Sequence, residues 1–307
     1  MAQADTVRPA STALPRAVVA SPPRPATGPT RALVARFARD RLALTGLVML
    51  AAFALAAVAA PWLTAYDPAA ANPALRLAPP SLAHPLGTDN LGRDLLSRLL
   101  FGSRWSLGTA AIATALIMTI GLAIGAVAGY YGGVVDDLIV LVIDVLLAFP
   151  SLVLALAIAG TLGPGIVNVM IGLVSVWWVG YARVVRGLVL AVRERQFVEA
   201  ARCLGAADRR VLLRHVLPNV LPPVVVLATL EMGGLILAIS GLSFLGLGAQ
   251  PPTPEWGAML NDGRAFLLGA PVLMIYPGLA ISLVVIGFNL LGDGLRDVLD
   301  PRFAHRR

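Results

Sequence analysis

Six long apolar segments alternate with polar segments along the chain. They cover residues 42–63, 106–130, 134–160, 165–181, 222–247 and 271–291. A helix rises about 1.5 Å per residue, so each segment can cross or nearly cross a hydrocarbon layer of about 30 Å. The pattern predicts an all-α membrane protein with six transmembrane helices. Pro150 predicts a kink in the third segment, because proline lacks the N–H that a helix interior needs.

The polar segments define the remaining organisation of the chain. Residues 1–41 are rich in Pro, Ala, Ser, Thr and Arg without sustained periodicity, which predicts a disordered cytoplasmic tail. Residues 64–105 are predicted to form an extracytoplasmic loop. Residues 106–300 are predicted to form a five-helix core that includes the polar loop 182–221, and residues 301–307 a second tail.

The first apolar segment, residues 42–63, has one competing interpretation. Ala57-Val58-Ala59 has the small-x-small form of a signal-peptide cleavage site. However, the preceding tail and the apolar segment are both longer than is usual for signal peptides. We therefore expect this segment to remain as the first transmembrane helix.

Residues 89–105, in the extracytoplasmic loop, have an amphipathic pattern. Leucines lie along one side of a helix over these residues, and Arg93, Arg98 and Arg104 fall largely elsewhere. This predicts an amphipathic helix in the outer interface of the membrane. Such a helix either anchors the second transmembrane helix or touches a partner protein.

Arginine placement predicts the orientation of the chain. With a cytoplasmic N-terminus, the inside segments hold 19 of the 24 basic residues and the outside segments hold 5. Cytoplasmic loops of membrane proteins carry the excess of basic residues. Both ends of the chain are therefore predicted to be cytoplasmic (N-in/C-in), and residues 182–221 form the largest cytoplasmic loop.

Composition agrees with a membrane protein and excludes several functions. Charged residues make up 13% of the chain, against about 25% in soluble domains. The net charge of +7 follows from membrane orientation, so it does not indicate a nucleic-acid partner. The absence of lysine excludes a P-loop and Schiff-base chemistry. The histidines lack metal-ligand spacing, so we expect neither a metal nor a cofactor.

The largest cytoplasmic loop contains two short predicted helices. Residues 197–204 lack proline and glycine, and Gly205 supplies a residue that can adopt positive φ at the end of this helix. Residues 206–217 are predicted to form a second helix that Pro218 ends. The residues alone leave two interpretations open, a basic loop that touches lipid headgroups or a docking element for a cytoplasmic protein.

The same loop resembles the EAA signature of ABC-importer permeases. The matching positions are Glu199, Ala200, Ala201, Gly205, His215, Pro218 and Asn219. The resemblance implies that the loop forms the coupling helix, which inserts into a groove of an ATP-binding subunit. It also implies that Glu199 contacts the groove, that Gly205 sets the bend, and that Pro218-Asn219 joins the loop to the fifth transmembrane helix.

Three further stretches resemble the dipeptide and oligopeptide permeases of that family. They are residues 84–98, 242–257 and 289–297. The similarity implies the C-type permease of a peptide importer, with the type I importer fold, in the bacterial inner membrane. It implies a second homologous permease, two P-loop ATP-binding subunits and an extracytoplasmic substrate-binding protein as partners. ATP hydrolysis then belongs to the partners, and the chain itself is not an enzyme.

Two carboxylates inside predicted helices are candidates for the translocation path. Asp144 resembles a family aspartate, but Leu141 replaces its usual arginine partner, so Asp144 must be protonated, hydrated or paired with another helix. Glu231 either lines the path, where it favours a cation such as a peptide N-terminus, or bonds a neighbouring helix. Ile239 stands where relatives often carry a glutamate, which leaves the charge of the path and the substrate open.

Three alternative functions remain at this stage. The first is an importer of the same family that carries nickel, glutathione or another small solute. The second is a proton-coupled secondary transporter that uses Asp144 and Glu231, against which the EAA-like loop argues. The third is a membrane scaffold or sensor without transport.

Overall fold

The computed structural model describes residues 37–299, which form nine α-helices, two short 3-10 helices (Pro73–Leu75 and Arg264–Phe266) and no β-strand. The predicted disordered tail up to residue 36 and the C-terminal tail 301–307 lie outside the described residues. The helices are α1 (Arg41–Leu63), α2 (Leu95–Tyr131), α3 (Gly133–Leu147), α4 (Ser151–Leu162), α5 (Ile166–Arg193), α6 (Gln196–Cys203), α7 (Asp208–Phe244), α8 (Trp256–Gly263) and α9 (Val272–Leu299).

Five of these helices are long and apolar enough to cross a membrane, namely α1, α2, α5, α7 and α9. The sixth span is the pair α3 and α4, whose axes meet at 85°. Pro150 stands immediately before α4, so the predicted kink is confirmed and is much sharper than a bend within one helix. The six-helix architecture predicted from the apolar segments is therefore confirmed, with the third span broken.

Several helices extend beyond the apolar segments. α2 begins at Leu95 rather than at residue 106, and α5 continues to Arg193 rather than ending near residue 181. Hydropathy marks only the part of a helix that meets hydrocarbon. Arginine favours helix nearly as well as leucine does, so the backbone remains helical beyond the apolar layer.

The prediction that Pro218 ends a helix over residues 206–217 was wrong. α7 begins at Asp208, passes through a π-helical turn at Leu212–Val216 and continues to Phe244. Pro218 lies in the first turn of the α-helical part that follows the π turn, where its missing N–H is tolerated. The Asn219 side chain donates a hydrogen bond of 2.7 Å to the carbonyl of His215, which supplies a partner within this irregular turn.

The predicted amphipathic helix over residues 89–105 was also wrong. The chain is non-helical up to Asp94, and α2 then begins directly as a transmembrane helix. Arg93 and Arg98 are each only 2% exposed and face the protein interior. Both are paired with carboxylates of the same chain, and a leucine pattern alone does not reveal such pairing.

The pair α2 and α5 forms the centre of the bundle. Gly121, Gly125 and Gly129 recur at intervals of four along the α2 face that contacts α5. A methyl group on any of the three would overlap the α5 backbone or side chains, such as Val185 beside Gly125. Small residues at this spacing allow close approach of membrane helices, where apolar burial alone gives little driving force.

The helix ends gather at two opposite faces of the bundle. At one face, Tyr130 at the end of α2 contacts Asp208 at the start of α7. At the other face, the Gly165 N–H before α5 donates 2.8 Å to the carbonyl of Leu247 after α7. The first face carries the arginine-rich loop and is cytoplasmic, which agrees with the predicted N-in/C-in orientation.

Candidate coupling loop and translocation cleft

The cytoplasmic loop folds as α6, a glycine turn and the start of α7. The predicted helix end at Gly205 is confirmed, since its φ is +78°. The Gly205 N–H donates to the carbonyl of Arg202 at 2.9 Å, and the Ala206 N–H donates to the carbonyl of Ala201 at 3.1 Å. This pair of bonds is a Schellman cap, which gives α6 a fixed end and sets the direction of the chain into α7.

Val198 fixes α6 against the body of the protein. Its side chain is fully buried in the main apolar core. The neighbouring Phe197, Glu199 and Ala200 are exposed on the other side of the short helix. α6 therefore has one face that belongs to the fold and one face that is free to contact another protein.

Tyr130 and Arg193 connect the loop to the end of α2. The Tyr130 hydroxyl donates a hydrogen bond of 2.8 Å to the Asp208 carboxylate. The Arg202 guanidinium lies 5.2 Å from the centre of the Tyr130 ring, at cation–π distance. Arg193 donates to the carbonyls of Gly129 and Tyr130 at 2.8 and 3.3 Å. Both helices of the loop are thus held to α2 as well as to their neighbours in sequence.

The residues of the EAA-like signature share one surface of this loop only in part. Ala201 and His215 are partly buried; the other five are exposed and comprise Glu199, Ala200, Gly205, Pro218 and Asn219.

An apolar surface with a basic rim lies beside the signature residues. Phe197, Leu204 and Leu213 expose 41%, 88% and 49% of their surfaces. Exposed arginines surround these apolar side chains, namely Arg195, Arg202, Arg209, Arg210 and Arg214. Apolar side chains with a basic rim suit docking to a protein groove.

Glu231 lines a cleft of about 290 Å³ between α3, α4, α5 and α7. Trp177 and Tyr181 of α5 lie in the same lining, together with Ser151 at the start of α4. Among the described residues, the Glu231 carboxylate has no hydrogen-bond or ion-pair partner. In this conformation, Glu231 therefore does not form a hydrogen bond to a neighbouring helix.

Asp144 lies outside the lining of this cleft and pairs with Arg183 of α5. Asp144 was predicted to be protonated, hydrated or paired with another helix, and in the structure it is paired with another helix. Both side chains of this ion pair remain more than half exposed on the single chain. One helix turn closer to the cytoplasm, Arg186 donates two hydrogen bonds to Asp136, at 2.5 and 2.6 Å.

A buried ionic cluster on the extracytoplasmic side was not identified from the sequence. Arg93 donates to Asp89 at 2.6 Å and to Asp262 at 3.1 Å. Arg98 lies 3.3 Å from the same Asp89 oxygen and 3.6 Å from Asp262. The cluster ties the loop before α2 to α8, far away in sequence. The sequence shows the dense charge in residues 84–98, but no sequence pattern around Asp262 indicates that it is their partner.

Glu255 is a further buried carboxylate on this side. It is fully buried and caps α8 by accepting from the N–H groups of Gly257 and Ala258 at 2.9 and 2.8 Å. The Ser106 hydroxyl of α2 donates to it at 3.2 Å. Burial raises the pKa of Glu255, against the opposing effect of these donors. No cluster of metal-ligating side chains exists among residues 37–299.

The broken six-span bundle, the exposed cytoplasmic loop and the cleft are typical of a helical membrane permease. The chain belongs to the family described as binding-protein-dependent transport system inner membrane component, which residues 121–305 match. Residues 28–80 match the N-terminal transmembrane domain of oligopeptide transport permease C. The resemblance inferred from the EAA-like loop and the three other stretches is thereby confirmed.

Three relatives illustrate the family. The chain is 44% identical to a dipeptide transport system permease protein of Alkalihalophilus pseudofirmus, over 90% of this chain and 91% of the relative. It is 45% identical to a nickel transport system permease protein of Escherichia coli K12, over 84% and 93%. It is 44% identical to a glutathione transport system permease protein of E. coli O6:K15:H31, over 87% and 88%.

The relatives place the chain among transport subunits of the inner membrane rather than among enzymes. A binding-protein-dependent transport system uses a substrate-binding protein and an ATP-binding component, so partners of these two types follow from the family.

Proposed function

We propose that the chain is the C-type transmembrane subunit of an ATP-driven importer of dipeptides or oligopeptides. The observation that carries the proposal is the coupling loop, whose EAA-like residues are mostly exposed and stand on a buried, hydrogen-bonded base. Peptide cargo is supported by the dipeptide permease relative and by the match of residues 28–80 to oligopeptide permeases. The nickel and glutathione relatives are equally similar, so cargo of those kinds is the alternative within the same function.

The assembly contains one copy of this chain, a second homologous permease, two P-loop ATP-binding subunits and an extracytoplasmic substrate-binding protein. The exposed Asp144–Arg183 pair supports a second permease as partner. A half-exposed ion pair within a transmembrane segment is costly against lipid, and membrane proteins direct such groups toward other helices or a water-filled path. Lipid covers the remaining apolar faces.

The coupling loop transmits the closure of the ATP-binding subunits to the transmembrane helices. Glu199 contacts the groove of the ATP-binding subunit, together with Ala200 and Ala201, where small side chains permit close approach. Gly205 keeps α6 and α7 at a fixed angle. His215, Pro218 and Asn219 carry the displacement into α7, which switches the path between inward-facing and outward-facing states.

Asp144 and Glu231 lie on or near the translocation path in this proposal. Glu231 is supported by its place in the cleft wall and by the absence of a partner among the described residues. Asp144 is supported by its exposure and by its pairing with Arg183, which lets a charged side chain stand in the span.

The test is purification from cells at native expression in mild detergent, followed by identification of the bound proteins and by uptake of labelled trialanine. Glu199→Arg is expected to release the ATP-binding subunits and to abolish uptake. Asp297→Arg, at an exposed carboxylate near the end of α9, serves as the control. Glu199→Arg with normal assembly and wild-type uptake would contradict the proposed coupling role.

Two further outcomes distinguish the alternatives. Uptake that persists without the ATP-binding subunits but collapses with the proton gradient would identify a secondary transporter. A scaffold or sensor would tolerate Gly205→Val without any loss of uptake, because no movement would pass through the loop.

A further inference from the structure

The cleft that contains Glu231 combines a free carboxylate with aromatic side chains. Trp177 is partly buried in its wall, and Tyr181 is only 3% exposed. The Tyr181 hydroxyl has no hydrogen-bond partner among the described residues. A carboxylate without a partner in a transmembrane helix is costly, so such a group is expected to meet a cation during function.

The other charges near this part of α5 are already neutralised. Arg183 is paired with Asp144, and Arg186 is paired with Asp136. Glu231 is therefore the uncompensated charge in the cleft wall, and the cleft favours a positively charged group. This charge balance follows from the ion pairs between α3 and α5.

We propose that Glu231, Trp177 and Tyr181 form a binding site for the α-ammonium group of a peptide in transit. The inference rests on the proposed peptide import and names the chemical group that this subunit recognises. A carboxylate accepts a charge-assisted hydrogen bond from the ammonium. The face of a tryptophan attracts a cation through its quadrupole, and the unpartnered tyrosine hydroxyl is free to accept from one N–H of the ammonium.

The size and chemistry of the cleft favour an organic ammonium over a bare metal ion. Its volume of about 290 Å³ lies just below the range of ligand pockets, roughly 300–1,000 Å³, and so suits one end of a peptide. Divalent transition metals need several imidazole, thiolate or carboxylate ligands. The described part of the chain offers no group of three such residues anywhere, and the cleft offers one carboxylate.

The test uses the complete importer in proteoliposomes, with saturating substrate-binding protein loaded with trialanine. Saturation removes the contribution of cargo delivery, so the maximal uptake rate reports events in the permease. Glu231→Gln and Trp177→Leu are expected to lower the maximal uptake rate about tenfold, while the ATPase rate stays near that of the wild type. Glu231→Asp and Trp177→Phe keep the charge and the aromatic face and are expected to retain most of the uptake.

Trp178 provides a matched control beside Trp177. Its side chain lines a separate apolar groove between α2, α3 and α5, and its Nε1 donates to the carbonyl of Ser175 at 3.0 Å. Trp178→Leu is expected to leave the maximal uptake rate within about twofold of the wild type, since Trp178 does not line the cleft that contains Glu231.

The outcomes separate this inference from the proposed function. Wild-type uptake rates in both Glu231→Gln and Trp177→Leu would overturn the ammonium site while peptide import stands. A wild-type importer that takes up nickel but no trialanine would overturn both. Glu231→Gln could fail to assemble with the ATP-binding subunits while Trp177→Leu assembles normally. In that case the comparison of uptake between Trp177→Leu and Trp178→Leu tests the site. Equal uptake by these two variants would overturn it.

Discussion

The hydroxyl of Tyr130, in the last turn of α2, donates a hydrogen bond of 2.8 Å to the carboxylate of Asp208, the first residue of α7. The Arg202 guanidinium of α6 covers the ring of the same tyrosine. One side chain of α2 thus contacts both helices of the coupling loop. In the proposed mechanism, displacement of the loop would therefore act on α2 directly, and not only on α7, which continues the loop in sequence.

Tyr130→Phe tests this connection, because it removes the hydroxyl and keeps the ring under Arg202. The loss of one hydrogen bond to a charged acceptor costs about 1.5–3 kcal/mol. We expect a folded importer that still hydrolyses ATP but imports several-fold less peptide per ATP. The measurement is the ratio of uptake to ATP hydrolysis in proteoliposomes.

Tyr131→Phe is the control for that experiment. Tyr131 is the next residue, it is 56% exposed, and its hydroxyl makes no hydrogen bond among the described residues. An equal fall in the uptake ratio for both variants would show that the Tyr130–Asp208 bond has no special part in coupling.

Gly205 holds a backbone conformation that other residues adopt with difficulty. Its φ is +78°, and no atom lies within 4 Å of the position that a Cβ would take, so a side chain meets strain rather than a clash. Gly205→Ala is expected to cost about 1–2 kcal/mol in this conformation and to reduce uptake by tilting α6 away from its docked direction.

Gly205→Asn supplies the matched comparison, because asparagine tolerates positive φ better than alanine does. We expect the asparagine variant to transport better than the alanine variant, as measured by uptake at equal membrane abundance. The reverse order would mean that the size of the side chain at the docking surface, and not the backbone conformation, limits coupling.

The sequence predicted local features well and distant pairings poorly. The Gly205 turn follows from residue type within one short segment, and so does the break at Pro150. The continuation of α7 through Pro218 was missed because a π-helical turn just before it makes the missing N–H harmless, and no residue type marks a π turn.

The misassigned amphipathic helix shows the limit most directly. Arg93 and Arg98 were expected to lie off the leucine side of an amphipathic helix in the outer interface of the membrane. Their carboxylate partner Asp262 lies on α8, and only the folded structure brings it next to Asp89. A single sequence contains no information on which distant carboxylate neutralises which arginine.

Removal of one partner from that cluster is expected to destabilise the protein strongly. Arg98→Met leaves the carboxylates of Asp89 and Asp262 with less compensation in a buried site, which typically costs about 3–5 kcal/mol. We expect a large fall in the thermal unfolding temperature in detergent and low membrane abundance. Arg104→Met, at an exposed arginine two turns further along α2, is expected to change neither by much. Similar unfolding temperatures for the two variants would contradict a stabilising role of the cluster.

Glu255 is expected to make the stability of the extracytoplasmic side depend on pH. Because burial raises the pKa of Glu255 above its usual value of 4.5, the folded protein holds this proton over a range in which the unfolded chain has lost it. The folded state then binds more protons than the unfolded state, so the free energy of unfolding falls as pH rises from 4.5 through the folded pKa. Below pH 4.5 the carboxyl is protonated in both the folded and the unfolded state, so folding buries no charge at this position.

Glu255→Gln removes that titration and also one of the two acceptors for the Gly257 and Ala258 N–H groups. We therefore expect a lower unfolding temperature at acidic pH, and a shallower fall between acidic and neutral pH than in the wild type. The measurement is the thermal unfolding temperature in detergent as a function of pH. Asp67→Asn, at an exposed carboxylate that accepts from the Ala69 N–H at 2.8 Å, controls for loss of a local cap on the same side. A pH profile for Glu255→Gln parallel to that of the wild type would mean that the ionisation of Glu255 is not linked to folding, and that its buried cap is equally stable in both charge states.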